Sequence, residues 1–166
     1  MPPRKKPTAA VALSILDRLI DWEPKVSTEA PLSRSESVRQ LKKSLCRDLE
    51  WLLNTRRSVF LEDDSLREVQ RSVYTFGLPD LGSYALANPK DRDRLLRSLQ
   101  SAIRTFEPRI LNTRIVPVQE DDDGRHTLHF RIEGLLRMDP DPEPVSFDTV
   151  LRFASGEYQV RGDSDA

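Results

Sequence analysis

The 166-residue sequence predicts an α+β fold: N-terminal helices packed on a small, mainly antiparallel C-terminal sheet. Three observations lead there. Apolar residues recur with a helical period up to Phe106, and with a period of two after Pro108. The change falls on Pro108, which lacks an N–H and whose ring clashes with a preceding helical turn. Turn signals then separate the later apolar runs, so helices come first and strands afterwards.

The elements follow in chain order. Residues 1–10 form a flexible basic tail. Val11 to Asp21 reads as a short amphipathic helix with Leu13, Leu16, Leu19 and Ile20 on one side. Glu23 to Pro31 is a polar connector. Ser35 or Ser37 can cap a long helix that runs to about Asn54. Its apolar positions are Val38, Leu41, Leu45, Leu49, Leu52 and Leu53, with Trp51 flanking. Acidic and capping residues at 62–65 precede a short helix, Leu66 to Val73, which Gly77 and Pro79 stop. Asn88-Pro89 opens a further helix with Leu95, Leu96, Leu99, Ile103 and Phe106 on one stripe.

The strand region begins at the corner. Arg109 to Gln119 reads as a strand whose Pro117 marks an edge or a bulge. Asp121 to Gly124 is a hairpin turn. Leu128, Phe130, Ile132 and Leu136 face one way, and His129, Arg131, Glu133 and Arg137 the other. Val145, Phe147, Leu151 and Phe153 form a further alternating set. Ser155-Gly156 turns the chain into a last short strand, Tyr158 to Val160. Residues 11–162 are expected to form one domain, with 163–166 as a polar tail.

Net charge is −1, but it is unevenly spread: +5 over residues 1–60, 0 over 61–109 and −6 over 110–166. This fits either different partners at two ends or plain solvation of a polar surface. No apolar run approaches the ~18 residues of a membrane span, and no signal-type core follows the basic start, which points to the cytoplasm. Cys46 is the lone cysteine and reads as a small packed residue.

Several chemistries fail on inventory. The two histidines, His126 and His129, lie three apart on a strand and face opposite sides, so no zinc site forms. There is no glycine-rich phosphate loop, and residues 120–123 lack the spacing of a calcium loop. No cofactor is expected. Arg39, Lys42, Lys43 and Arg47 form a basic stripe, which Asp48 and Glu50 dilute below what nucleic-acid binders show.

The most informative stretch is Phe106-Glu107-Pro108-Arg109-Ile110. Pro108 pushes Glu107 toward extended geometry, where residues two apart share a side. Glu107 and Arg109 therefore project together, either as a self-contained ion pair or as a two-pronged contact for a partner.

Two stretches carry a resemblance. One is Asp48 to Arg57, with Gly77-Leu78-Pro79-Asp80 downstream. The other is Phe106 to Ile110, followed by the strands and Phe147-Asp148-Thr149. Together with Ser14 to Asp21, they resemble the TssE subunits of type VI secretion baseplates, in the gene-25-like lysozyme family. The resemblance implies a wedge component of a contractile injection machine, placed in the cytoplasm within a membrane-docked baseplate of a Gram-negative bacterium. It implies that Glu107, Pro108 and Arg109 contact the wedge core bundle of TssF and TssG, with TssK as a further baseplate partner. It also implies that the C-terminal sheet starts the TssB–TssC sheath, with Tyr158, Gln159 and Val160 as a docking edge.

The family name raises a peptidoglycan-hydrolase alternative with Glu107 as the acid. Such chemistry needs two carboxyls ~5–9.5 Å apart, one of them kept protonated. Arg109 beside Glu107 would favour the ionised form, and no second carboxylate is identifiable by spacing. A structural role without catalytic residues is therefore the expectation.

Overall fold

The computed structural model describes residues 14–20, 33–58, 63, 65–80, 82, 84, 88–118, 127–139 and 141–162. The expected tails at 1–10 and 163–166, the connector at 23–31, the turn at 121–124 and His126 lie outside the described residues.

Helix α1 (Ile15–Leu19) is capped by Ser14, whose hydroxyl accepts from the Asp17 N–H. Helix α2 (Arg34–Asn54) starts earlier than expected. Ser33, not Ser35 or Ser37, is its N-cap, because Ser33 and Glu36 three residues on satisfy each other's backbone donors in a capping box. The expected helix from Leu66 to Val73 resolves instead into two 3₁₀ turns, Val69–Arg71 and Val73–Thr75. Ser72 separates them: its backbone is extended and its hydroxyl caps the second turn. Helix α3 (Pro89–Phe106) runs as the sequence predicts, with Asn88 as cap and Pro89 in the first turn.

Four strands follow: β1 (Ile110–Pro117), β2 (Thr127–Leu136), β3 (Glu143–Arg152) and β4 (Glu157–Gly162). They form an antiparallel sheet in the order β1-β2-β3-β4. Helices followed by this sheet make the α+β arrangement. The irregularity in β1 falls between Leu111 and Arg114 rather than at Pro117, with Asn112 at a positive φ of 54°. Opposite the bulge stands Gly134. A side chain there would meet the Ile110 Cγ2 at 2.5 Å, so Ile110 takes the space that a larger residue on β2 would fill. β1 and β4 are the two edges.

One core joins both layers. Leu41, Leu45, Leu49, Leu52 and Leu53 of α2 and Leu95, Leu99 and Ile103 of α3 pack against Phe130, Ile132, Leu136, Phe147, Leu151 and Tyr158 of the sheet. Phe153 packs partly buried against this cluster from just beyond β3. The segment after α2 is pinned to the chain before α3. The Arg57 N–H donates to the Leu78 carbonyl at 2.9 Å, and the Leu78 N–H to the Thr55 carbonyl at 2.8 Å. Gly77 allows this approach: its φ is +106°, and a Cβ would stand 2.4 Å from the Thr55 oxygen. Phe76 then meets Phe106 edge to face at 5.3 Å, tying this crossing to the end of α3.

Leu49 has no exposed surface. Leu49→Ala should therefore lower the unfolding free energy by ~2–5 kcal/mol, read by denaturant titration. A change below about 0.5 kcal/mol, typical of a surface position, would show that this face of α2 is not core.

Candidate functional site

The corner between α3 and β1 is built by its own backbone. Glu107 ends α3 by donating its N–H to the Ile103 carbonyl at 2.8 Å, and its carbonyl accepts from the Ile110 N–H. Pro108 is the exposed tip. The Arg109 carbonyl accepts from the Arg137 N–H at 2.8 Å, which anchors the corner to the end of β2. Few backbone freedoms remain between the two side chains that flank the proline.

Glu107 and Arg109 do project together. The Arg109 guanidinium grips the carboxylate with both arms, Nε to Oε1 at 2.6 Å and Nη2 to Oε2 at 2.5 Å. Glu107 is 5% exposed, while the Arg109 side chain keeps 27%. Nη2 also reaches Asp48 of α2 at 2.6 Å. The hydrogen bonds it donates to Glu107 raise the Arg109 pKa, outweighing desolvation, and Asp48 adds to the effect. Arg109 Nη1 is buried and has no hydrogen-bond partner among the described residues.

From Asp48 the chain of charges continues. Asp48 Oδ1 accepts from Arg47 Nη2 at 2.8 Å, and Arg47 Nη1 pairs with Asp17 of α1 at 2.9 Å. Ser14 hydrogen-bonds the Asp17 carboxylate in turn. Arg47 also lies over the Trp51 ring, 5.1 Å from its centroid. Five charged side chains thus run from α1 across α2 to the corner. They account for the burial of an acid in α1: Asp17 is buried, while Ile15 and Leu19 are each 77% exposed. Of the expected apolar side, Leu16 and Leu19 are exposed and Ile20 is half-buried, while Asp17, at the edge of that stripe, is turned inward to Arg47.

Two cations of the basic stripe on α2 are engaged, while Arg39 and Lys43 are exposed. Arg47 is bound to two carboxylates, and Lys42 pairs with Glu143 of β3 at 2.8 Å. His129 contacts the Thr127 hydroxyl, and no cluster of metal-binding side chains occurs among the described residues.

The edge strand β4 has a different arrangement. Tyr158 is buried and Val160 nearly so, both on the core face, while the half-buried Gln159 lies on the opposite face. The Asn54 carboxamide, at the end of α2, accepts from the Tyr158 N–H at 2.9 Å and donates to the Tyr158 carbonyl at 2.8 Å. Tyr158 therefore turns its backbone groups away from β3, and by alternation Gln159 turns its own toward β3. The β1 edge is met by α3: Gln100 Nε2 and Arg104 Nη2 both donate to the Thr113 carbonyl. Sequence reasoning did not find Asp48, Asp17 or Asn54 as partners in these arrangements. Asp48 lies 61 residues from Arg109, and Asn54 lies 104 from Tyr158, so no local spacing signals them.

The one corner carboxylate that is deeply buried is held by a cation, and what the corner offers is a rigid tip on a braced, charged support. That is the property of a protein built to be assembled with others. A family model of the baseplate wedge protein gp25 matches residues 39–141, and the chain belongs to this family. Its role is accordingly that of a structural part of a baseplate, one that interacts with other baseplate proteins. The matched span holds Asp48, Asn54, the Gly77 crossing and the whole corner. No curated protein matches the chain. No helix among the described residues is long and apolar enough to cross a membrane.

The Asp17 link gives a pH dependence. Burial pushes its carboxyl upward, but hydrogen bonds from Ser14, Arg47 and Ser44 together hold it below the ordinary carboxylate value. A depressed folded-state pKa contributes stability above the unfolded value, about 3.8, and that stability is lost as the pH falls through the folded value. The protection factors of the Asp17 and Ile20 amides, corrected for the intrinsic pH dependence of exchange, should hold at pH 6 and fall as the pH drops from about 4 toward 2. Protection that persists unchanged to pH 2 would show that the ion pair does not hold α1.

Proposed function

We propose that the protein is the wedge subunit of a type VI contractile machine, joining the wedge core to the first layer of the sheath. The family match supports the wedge role. The observation that carries the finer reading is the state of Arg109. Its guanidinium is braced by Glu107 and Asp48, yet the buried Nη1 has no acceptor among the described residues. An unmade hydrogen bond on a buried cation is costly. A carbonyl or carboxylate brought to the tip by the TssF–TssG bundle would satisfy it after a small turn of the guanidinium. Arginine suits such a role through its planar fork.

On this reading TssK completes the set of baseplate partners, and the assembly works at the cytoplasmic side of a Gram-negative envelope. The sheet is the platform for TssB and TssC. The β4 edge is the docking strand there, by β-augmentation. Only the backbone groups of Val160 and Gly162 remain to serve it, since Asn54 holds those of Tyr158.

Cell-wall hydrolysis is the weaker reading. Both Glu107 oxygens accept from Arg109, and Asp48, which comes near through folding, shares the same guanidinium. A general acid needs an oxygen free to pass a proton to the leaving group, and both Glu107 oxygens are taken by Arg109.

Arg109→Lys tests the proposal. It keeps a cation for Glu107 but loses the second arm. The folded variant should bind the co-expressed wedge core at least about tenfold more weakly than wild type, a loss of ~1.4 kcal/mol, by quantitative co-purification. Wild-type binding by the folded variant would remove the corner from the interface and leave it an internal brace. Turnover of purified peptidoglycan that is lost in Glu107→Gln would restore the hydrolase.

A further inference from the structure

Helix α2 runs alongside β4. At one end the Cys46 sulfur lies 3.1 Å from where a Cβ on Gly162 would stand. At the other end Asn54 meets Tyr158. From Cys46 to Asn54 the helix rises about 12 Å. From Gly162 back to Tyr158 the strand covers about 13 Å. The two elements therefore keep pace, and the last residue of α2 arrives beside the start of β4.

The Asn54 carboxamide is fully engaged there. Its oxygen takes the Tyr158 N–H, one N–H goes to the Tyr158 carbonyl, and the other goes to the Glu50 carbonyl of its own helix at 2.9 Å. A carboxamide offers the same donor and acceptor as a peptide group. It thus takes up the pair of backbone groups that a neighbouring strand would use at this position. Alternation along the strand places the next outward groups on Val160 and then Gly162. Arg152 faces Glu157 across the β3–β4 turn, so beyond Tyr158 in the other direction one residue of strand remains before the loop.

We propose that Asn54 is a register stop at the β4 edge. An extended strand of a neighbouring subunit pairs with Val160 and Gly162 and ends against the Asn54 carboxamide, which sets how far the strand runs along β4. The inference rests on the reading of β4 as the strand-accepting edge. It adds the residue that fixes the register, and it explains why an edge strand with a buried, regular face is not open along its whole length.

Single-residue amide exchange on the full chain tests it, alone and after assembly with the purified sheath subunits of the same system. In the free wild-type protein the Tyr158 amide should exchange slowly. On assembly the Val160 amide should slow by about tenfold or more, with Tyr158 unchanged. In Asn54→Ala the Tyr158 amide should exchange about tenfold faster in the free protein and become protected on assembly, as the strand runs one pair further. A Tyr158 amide that stays fast in assembled Asn54→Ala, while Val160 slows, would overturn the stop but leave the edge reading intact. A Val160 amide that does not slow in assembled wild type would overturn the edge reading and the stop with it.

Discussion

The structure depends on one guanidinium. Arg109 joins Glu107, two residues away in the chain, to Asp48 on a helix 61 residues earlier. It gives α2 and the α3–β1 corner a directional contact, which apolar packing does not supply. Hydrophobic burial drives these layers together but is non-directional. The bidentate geometry supplies the direction. It also explains how a carboxylate as buried as Glu107 is tolerated: a buried charge needs a partner and hydrogen bonds, and Glu107 has both from one side chain.

The brace and the proposed contact surface use the same residues, and this is physically reasonable. A side chain held in one rotamer by internal partners loses little further entropy when a partner docks. The corner backbone is fixed by the proline and by hydrogen bonds to α3 and β2, and the charges run back through Arg47 to α1. A load on the tip is therefore spread over α1, α2 and the sheet. That suits a part of a baseplate, where rigidity at a joint matters more than chemistry at a site.

Much of this was legible in the sequence, for definite reasons. The switch in apolar period at Pro108 located the helix-to-sheet transition. The alternation at Leu128, Phe130 and Ile132 assigned the buried face of β2. Glu107 and Arg109 were found as a pair because extended backbone brings residues two apart to one side. Local rules failed where competition was local but subtle. Ser33 outcompeted Ser35 and Ser37 as a cap because only Ser33 has an acid three residues on. Ser72 broke the expected Leu66–Val73 helix into two turns. In α1 an acid, Asp17, is buried by an ion pair to another helix while Leu16 and Leu19 stay exposed, which no periodicity encodes. Asp48 at the corner and Asn54 on β4 are products of topology, visible only once α2 lies across the sheet.

The central claim is that Asp48 and Arg109 are energetically coupled, so that α2 and the corner act as one body. A double-mutant cycle with Asp48→Asn and Arg109→Gln, read by denaturant unfolding, tests it most directly. The account predicts a coupling of about 1 kcal/mol or more, as expected for a charged pair in one partly buried network. Single changes that add to within about 0.3 kcal/mol would contradict it, since residues that share no interaction behave in that way.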